Sequence, residues 1–254
     1  MIHSLFDITG RKALVTGASR GLGYGMAEAL LEAGAEVVIV GSSERVQDAA
    51  ATLTQSTGGK VHPVQADLGQ RDQLRQCFDR AVNTLGTLDI QVVCHGIQRR
   101  APAEQFTIEQ WDEVIEVNLS SVFILNQLAG QIMLPKGKGK IINVASLLSF
   151  SGGITVPAYA ASKAGVSRLT MSFANEWAAR GVNVNAIAPG YMATDLNVAL
   201  RNDADRYQAI TSRIPAGRWG TGEDMKGITL LLASDASDYI NGTTIPVDGG
   251  WMGR

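Results

Sequence analysis

Tyr159 and Lys163 stand four residues apart in Tyr159-Ala-Ala-Ser-Lys163. The stretch from Ala158 to Ala179 has helical spacing, so both side chains share one helix face. A phenol ionises at about pH 10 and is a poor base at neutral pH. A neighbouring ammonium favours the phenolate and tunes the pair toward acid–base work. Such a pair suits protonation of the alkoxide formed when hydride reaches a ketone. Ser146 follows the strand-like run Lys140-Ile-Ile-Asn-Val144, and Asn118 lies in a long helical stretch before it. Each residue also has a plainer reading. Tyr159 and Lys163 alone are an ordinary helix-face pair, Ser146 a helix cap, and Asn118 a partner for a buried backbone group.

A second chemical signal lies near the start. Lys12-Ala-Leu-Val15 has a buried-strand pattern and runs into Thr16-Gly17-Ala-Ser-Arg20-Gly21-Leu-Gly23. Apolar residues then recur at helical spacing from Gly21 to Ala33. The glycines let the backbone turn sharply and approach a pyrophosphate, and the helix N-terminus offers free N–H groups. The plainer reading is a turn that packs a helix on a sheet.

The elements that must position these residues alternate regularly. Strand patterns continue at Glu36–Val40, Val61–Gln65, Ile90–Cys94, Lys140–Val144, Val182–Ile187 and Thr243–Val247. Helical patterns lie at Glu44–Leu53, Arg71–Leu85, Ile108–Met133, Ala158–Ala179 and Gly222–Ala233. Alternation of this kind predicts βαβ units and a parallel sheet covered on both faces. The expected fold is α/β, a doubly wound parallel sheet of about seven strands. One domain, 1–254, absorbs the length, with a first half to about 140, a second half from 141, and a lid from Gly190 to Gly220. In such a sheet the ligand crevice lies at the carboxyl ends of the strands, where Ser146 falls.

Composition narrows the classes. Charged residues make up 18% of the 254, below what soluble domains usually carry, while hydrophobic residues make up 45%. That combination suggests a surface covered by another subunit. A net charge of −2 gives no basic stripe for nucleic acid. Cys77, Cys94 and the histidines His3, His62 and His95 do not form a metal-binding pattern. Met1 to Gly10 lacks the layout of a signal peptide, and no uninterrupted apolar run reaches membrane-span length. These features predict a cytoplasmic protein without metal, nucleic acid or membrane partners.

Thr16 to Gly23 resembles the cofactor turn of the short-chain dehydrogenase/reductase superfamily. Asp67-Leu68 resembles its adenine-contacting pair, and Pro189-Gly190 with Thr194 resembles the segment that holds the nicotinamide carboxamide. The resemblance spans nearly the whole chain. It implies a Rossmann-like fold and an NAD(P)-dependent enzyme that interconverts a secondary alcohol and a ketone. It implies that Tyr159 is the general acid/base, that Lys163 lowers its pKa and binds the nicotinamide ribose, that Ser146 bonds the substrate carbonyl, and that Asn118 holds a relay water. Cofactor contacts are implied at Gly17, Ser19, Arg20, Gly21, Leu22, Gly23, Ser42, Asp67, Leu68, Gly96, Tyr159, Lys163, Pro189, Gly190 and Thr194.

One motif departs from the family. Val93-Cys94-His95-Gly96 stands where Asn-Asn-Ala-Gly is usual. Gly96 is kept, but the asparagine that ties loops together is lost, and Cys94 is a weak replacement. His95 reads either as hydrogen-bonded scaffold or as a group that titrates beside the cofactor.

Gly41 occupies the position where an acidic residue would select NAD(H). Ser42 and Ser43 can donate to a phosphate and Arg20 or Arg45 can pair with it, while Glu44 can still reach a ribose hydroxyl. The balance favours NADP(H) over NAD(H). For the substrate, Arg99 and Arg100 suit a carboxylate, or else are a solvated loop or subunit contact. Asn185–Thr194, Arg213–Gly220, Val247–Trp251 and Ser149–Gly153 resemble the branch of 2-deoxy-D-gluconate 3-dehydrogenases, 2-keto-3-deoxygluconate 5-dehydrogenases and gluconate 5-dehydrogenases. That implies a keto sugar acid or related polyol, with Tyr191, Met192 and Trp219 as pocket walls. Two rivals remain: a 3-ketoacyl thioester or apolar-ketone reductase, and a non-catalytic cofactor-sensing protein. Low charge and the resemblance together suggest a homotetramer built on the two long helices and the tail near Trp251.

Overall fold

Strand and helix alternate as expected in a computed structural model of the chain, which describes residues 2–253 apart from the side chains of Leu196 and Ala199. Met1 of the N-terminal stretch lies outside the described residues. The strands are β1 (Lys12–Thr16), β2 (Glu36–Gly41), β3 (Val61–Gln65), β4 (Ile90–Val93), β5 (Gly139–Val144), β6 (Val182–Pro189) and β7 (Thr244–Val247). They form one sheet of seven in the order β3-β2-β1-β4-β5-β6-β7, and every pairing is parallel. In register, Leu14 of β1 lies between Val38 of β2 and Gln91 of β4. The order reverses direction between β1 and β4, so the crevice opens above those two strand ends.

Both faces of the central strands are apolar because each must be covered. Leu14, Val38, Val40, Val93 and Ile141 point to one face, while Ala13, Val15, Ile39, Val92 and Ile142 point to the other. The first face packs on α3 (Arg71–Leu85), α4 (Ile108–Lys136) and α5 (Pro157–Trp177). The second packs on α1 (Gly21–Glu32) and α2 (Arg45–Thr57). Each fully buried leucine or isoleucine contributes about 1.5–3 kcal/mol of transfer free energy.

Two boundaries around the site differ from the sequence expectation. β4 ends at Val93, leaving Cys94 in the loop that enters the crevice. α4 runs past Met133 to Lys136, where Gly137 closes it in the left-handed region at φ 66°. Within it, Glu116–Ser120 forms a π-helical turn, the kind of local widening that often marks a functional site. α4 also corrects the reading that nothing here suits a membrane span: it is long and apolar enough by length and composition, with mean hydropathy 1.3. Half of that window is buried inside the fold, as for a core helix.

The segment after β6 is not irregular. It holds a turn at Asp195–Asn197, a single helical turn at Val198–Arg201 and α6 (Ala204–Thr211) before α7 (Glu223–Ala233), which joins α1 and α2 on the second face. Leu200, Ile214 and Trp219 form a small apolar cluster of their own within this segment.

Candidate active site

A cleft of about 1700 Å³ runs over the carboxyl ends of the strands. Gly17, Ser19, Arg20, Gly21, Leu22 and Gly23 line its first wall, with Ser42, Asp67 and Leu68 at the far end. Gly96, Ser146, Tyr159 and Lys163 line the middle, and Pro189, Gly190 and Thr194 border the lid. The glycine turn is tight enough to exclude side chains. A Cβ at Gly17 would lie 2.7 Å from the His95 backbone, and one at Gly23 would lie 2.4 Å from the Gly17 carbonyl oxygen. No side chain caps the N-terminus of α1, so its N–H groups are left for an anion. This cradle fits a dinucleotide pyrophosphate. Among the described residues no cluster of His, Cys, Asp or Glu is placed to hold a metal.

The proposed acid–base group sits on the first turn of α5. The Lys163 Nζ lies 5.8 Å from the Tyr159 ring centroid and donates to the Val144 carbonyl at 2.7 Å. Ser146 Oγ accepts from Leu148 N–H at 3.2 Å, capping the turn Leu147–Ser149, and the Ser146 hydroxyl bonds the Tyr159 phenol. Ser149 Oγ donates to the Lys163 carbonyl at 2.7 Å and accepts from Ser146 N–H at 3.3 Å. Ser149 therefore clamps the serine loop to the tyrosine helix, a role the sequence reading missed because its partner is a main-chain atom.

Burial dominates the electrostatics of the site. Burial raises the Tyr159 pKa, against the opposing Ser146 hydrogen bond and Arg100 charge. Burial also pulls the Lys163 ammonium down to about 8 and pushes the Cys94 thiol up to about 11, so Cys94 stays protonated at neutral pH.

The substrate end is built from arginines and aromatics. Arg99 is not free for a carboxylate: its Nε donates to Glu113 Oε2 at 2.8 Å, its Nη2 to Glu113 Oε1 at 2.5 Å, and its Nη1 to the Gln98 carbonyl at 3.1 Å. Arg100 lines the cleft without such a partner; burial, then the facing charge of Arg206, lower its pKa. Arg206 and Arg213 of the lid also line the cleft, and the Arg213 guanidinium lies 4.2 Å over the Trp251 ring. Sequence spacing did not reveal these two, because it does not say which lid face turns inward. Tyr191 lies between Trp219 and Trp251, at centroid distances of 5.3 and 4.6 Å, and Met192 lines the cleft while largely buried. Trp219 is no pocket wall. It is buried, stacks on Tyr207 at 5.5 Å and donates Nε1–H to Thr211 Oγ1 at 2.9 Å.

The family model described as "Enoyl-(Acyl carrier protein) reductase" matches residues 17–252. The 2-dehydro-3-deoxy-D-gluconate 5-dehydrogenase of Escherichia coli K12 is 48% identical over the full length of both chains. The chain belongs to the short-chain dehydrogenase/reductase superfamily. A putative 2-deoxy-D-gluconate 3-dehydrogenase of Agrobacterium tumefaciens with bound NADP superimposes with TM-score 0.91 at 46% identity, covering 98% of this chain and 99% of that one. A putative NAD(P)-dependent gluconate 5-dehydrogenase of Beutenbergia cavernae, also with NADP, gives 0.95 at 44% identity, covering 98% and 100%.

As a short-chain dehydrogenase the chain is an NAD(P)-dependent oxidoreductase acting on CH–OH groups. Its unusual loop is held by the histidine. His95 Nε2 lies 2.7 Å from Ser121 Oγ, and Ser121 Oγ has committed its hydrogen to the Val117 carbonyl at 2.5 Å. His95 must therefore donate from Nε2, and Nδ1 accepts from Thr16 Oγ1 at 2.8 Å. Thr16 Oγ1 in turn accepts from Cys94 N–H at 3.1 Å. The ring ties β1, the β4 loop and α4 together in place of the family's asparagine. Burial lowers its pKa to about 3, so the scaffold reading holds and the titrating one does not.

Asn118 is fully buried in the π-helical turn. Its Oδ1 accepts from Ile97 N–H at 2.8 Å, and its Nδ2 donates to the Ile97 carbonyl at 2.9 Å and to Ser162 Oγ at 3.3 Å. The side chain thereby fixes the loop after Gly96. At the cofactor end, Arg20 forms an ion pair with Asp195 of the lid at 2.7 Å. Arg45 is exposed on α2, outside the cleft lining.

Proposed function

We propose that this short-chain dehydrogenase interconverts a keto sugar acid and its hydroxy form with NADP(H). The observation that carries the substrate class is Arg100, a guanidinium without an ion-pair partner among the described residues, in the cleft within electrostatic reach of Tyr159. A carboxylate is its natural complement. The names of the relatives agree, since they act on gluconate-type acids. NADP(H) is favoured because Gly41 removes the acidic selector, Ser42 faces the cleft, and two similar structures hold NADP. Arg20 is the cation for the 2′-phosphate, which would draw it from Asp195.

When bound, the nicotinamide supplies or takes the hydride. In reduction, Ser146 donates to the substrate carbonyl oxygen and so polarises it, while Tyr159 delivers its phenolic proton to the same oxygen as charge develops there. Oxidation runs the proton path backward. Lys163 holds the nicotinamide ribose, and the glycine turn and Thr194 hold the phosphates and carboxamide side.

The assembly belongs to the same reading: a homotetramer, one interface built on α4 and α5. Phe123 and Met171 are exposed there, beside a groove lined by Leu119, Ile124 and Leu169 and rimmed by Arg71, Arg75 and Arg168.

The test is reduction followed by nicotinamide absorbance, with NADPH and NADH in parallel. The panel holds keto sugar acids, neutral keto sugars and apolar ketones. The reading expects turnover of the acids, preference for NADPH and loss of about three orders of magnitude in Tyr159→Phe. Turnover confined to apolar ketones would overturn the substrate class. Tight cofactor binding with no turnover anywhere would favour a sensing role.

A further inference from the structure

Two arginines from different elements line the same cleft. Arg100 sits on the loop after β4, and Arg206 sits on α6 of the lid; both line the cleft. They are within electrostatic reach of each other, since the Arg206 charge bears on Arg100. Neither forms an ion pair among the described residues, although acids are close by. Those acids are committed elsewhere: Glu113 to Arg99, Glu116 to Arg71 and Asp195 to Arg20. Asp112, also in the lining, pairs with neither.

The lid is built to present Arg206. Asp203 Oδ1 accepts from Arg206 N–H at 3.0 Å and caps α6 at that residue. The next side chain, Tyr207, stacks on the buried Trp219. The helix is thus anchored through Tyr207 with Arg206 turned to the cleft. Like charges lining one cleft repel, and an anion between them relieves that repulsion. A carboxylate has two oxygens and about four lone-pair sites, enough for a guanidinium on each side. We infer that Arg206 is the lid's specificity residue, closing on an acidic substrate whose carboxylate bridges it to Arg100. This rests on the sugar-acid reading above and extends it: Arg100 receives the carboxylate, and the lid arginine selects for it. A neutral keto sugar would leave the repulsion in place.

The experiment is steady-state kinetics on the full chain with NADPH, using a keto sugar acid and its methyl ester. The variants are Arg206→Gln, Arg206→Lys, Arg100→Gln and the double glutamine variant. Arg206→Gln is expected to raise KM for the acid about ten- to a hundredfold, with kcat changed less than about threefold and the ester unaffected. Arg206→Lys should recover part of the loss. The double variant should lose less than the product of the two singles, because both arginines hold one group. An unchanged acid KM in Arg206→Gln would overturn the inference, as would a parallel rise for the ester, which marks a structural defect. A wild-type enzyme indifferent to the substrate's charge would overturn the sugar-acid reading itself. A charge-selective wild type with a silent Arg206→Gln would overturn only the lid's part.

Discussion

Tyr159 sits where burial holds its proton on, while the reaction in one direction needs that proton gone. Alcohol oxidation uses the phenolate, so its kcat/KM should climb about tenfold per pH unit through neutral and alkaline pH. Ketone reduction uses the phenol and should stay level until the same ionisation removes it. Ser146→Ala deletes the hydrogen bond that favours the phenolate, so pH–rate profiles should show the rising limb displaced to higher pH and kcat lowered about a hundredfold. His95 gives a stability prediction. Its folded pKa is about 3, against about 6.5 unfolded. Between those values the unfolded chain binds a proton that the folded chain refuses, so stability falls as pH drops through that window. His95→Ala should cost about 1–3 kcal/mol at neutral pH through lost hydrogen bonds, yet show a shallower loss of Tm from pH 6.5 toward 4 in thermal melts.

At the scale of elements, β1, β2, β4, β5 and β6 were legible because apolar runs buried on both faces have few alternatives. The glycine turn and the Tyr159–Lys163 pair were legible because their spacing is itself the mechanism. The lid was not. α6 has eight residues and none of them is buried, so no amphipathic period announces it; aromatic stacking of Tyr207 on Trp219 holds it instead. The same gap explains Arg99. Nothing in the order of residues shows that Glu113, on the next long helix, takes the Nε–Nη2 edge of its guanidinium. Removing the anchor should release the lid without melting the sheet. In Trp219→Ala, amide exchange is expected to speed up across α6 while β1 and β4 keep their protection. KM for substrate should rise as the lid arginines lose their placement, and faster exchange throughout the sheet would refute a separately anchored lid.

At the scale of the whole molecule, the reversal of strand order places the cofactor turn, Ser146 and the lid around one crevice, and leaves the outer faces of α4 and α5 without cover. Phe123 stacks on Phe173 at 5.8 Å and is still 41% exposed. An aromatic left half in water beside Met171 fits a subunit contact better than a solvent face. Phe123→Asp should therefore yield a smaller species by light scattering, with the sheet's circular dichroism intact. A wild type that is monomeric at working concentrations would remove the basis for that expectation. The 18% charged content raised the expectation of a subunit contact but not its location, which depends on which helix faces the sheet leaves outward.

The aromatic cluster that anchors the lid is also an optical instrument. Of the four tryptophans, Trp219 and Trp251 flank Tyr191 beside the cleft, whereas Trp177, the last residue of α5, is buried in the core and Trp111 lies outside the cleft lining. The Arg213 guanidinium rests against Trp251, where a shift of charge alters the indole's emission. Titrating an acid into the protein should change intrinsic fluorescence through Trp219 and Trp251 alone, over a constant background from the other two. The enzyme thus carries an unlabelled reporter of its own lid.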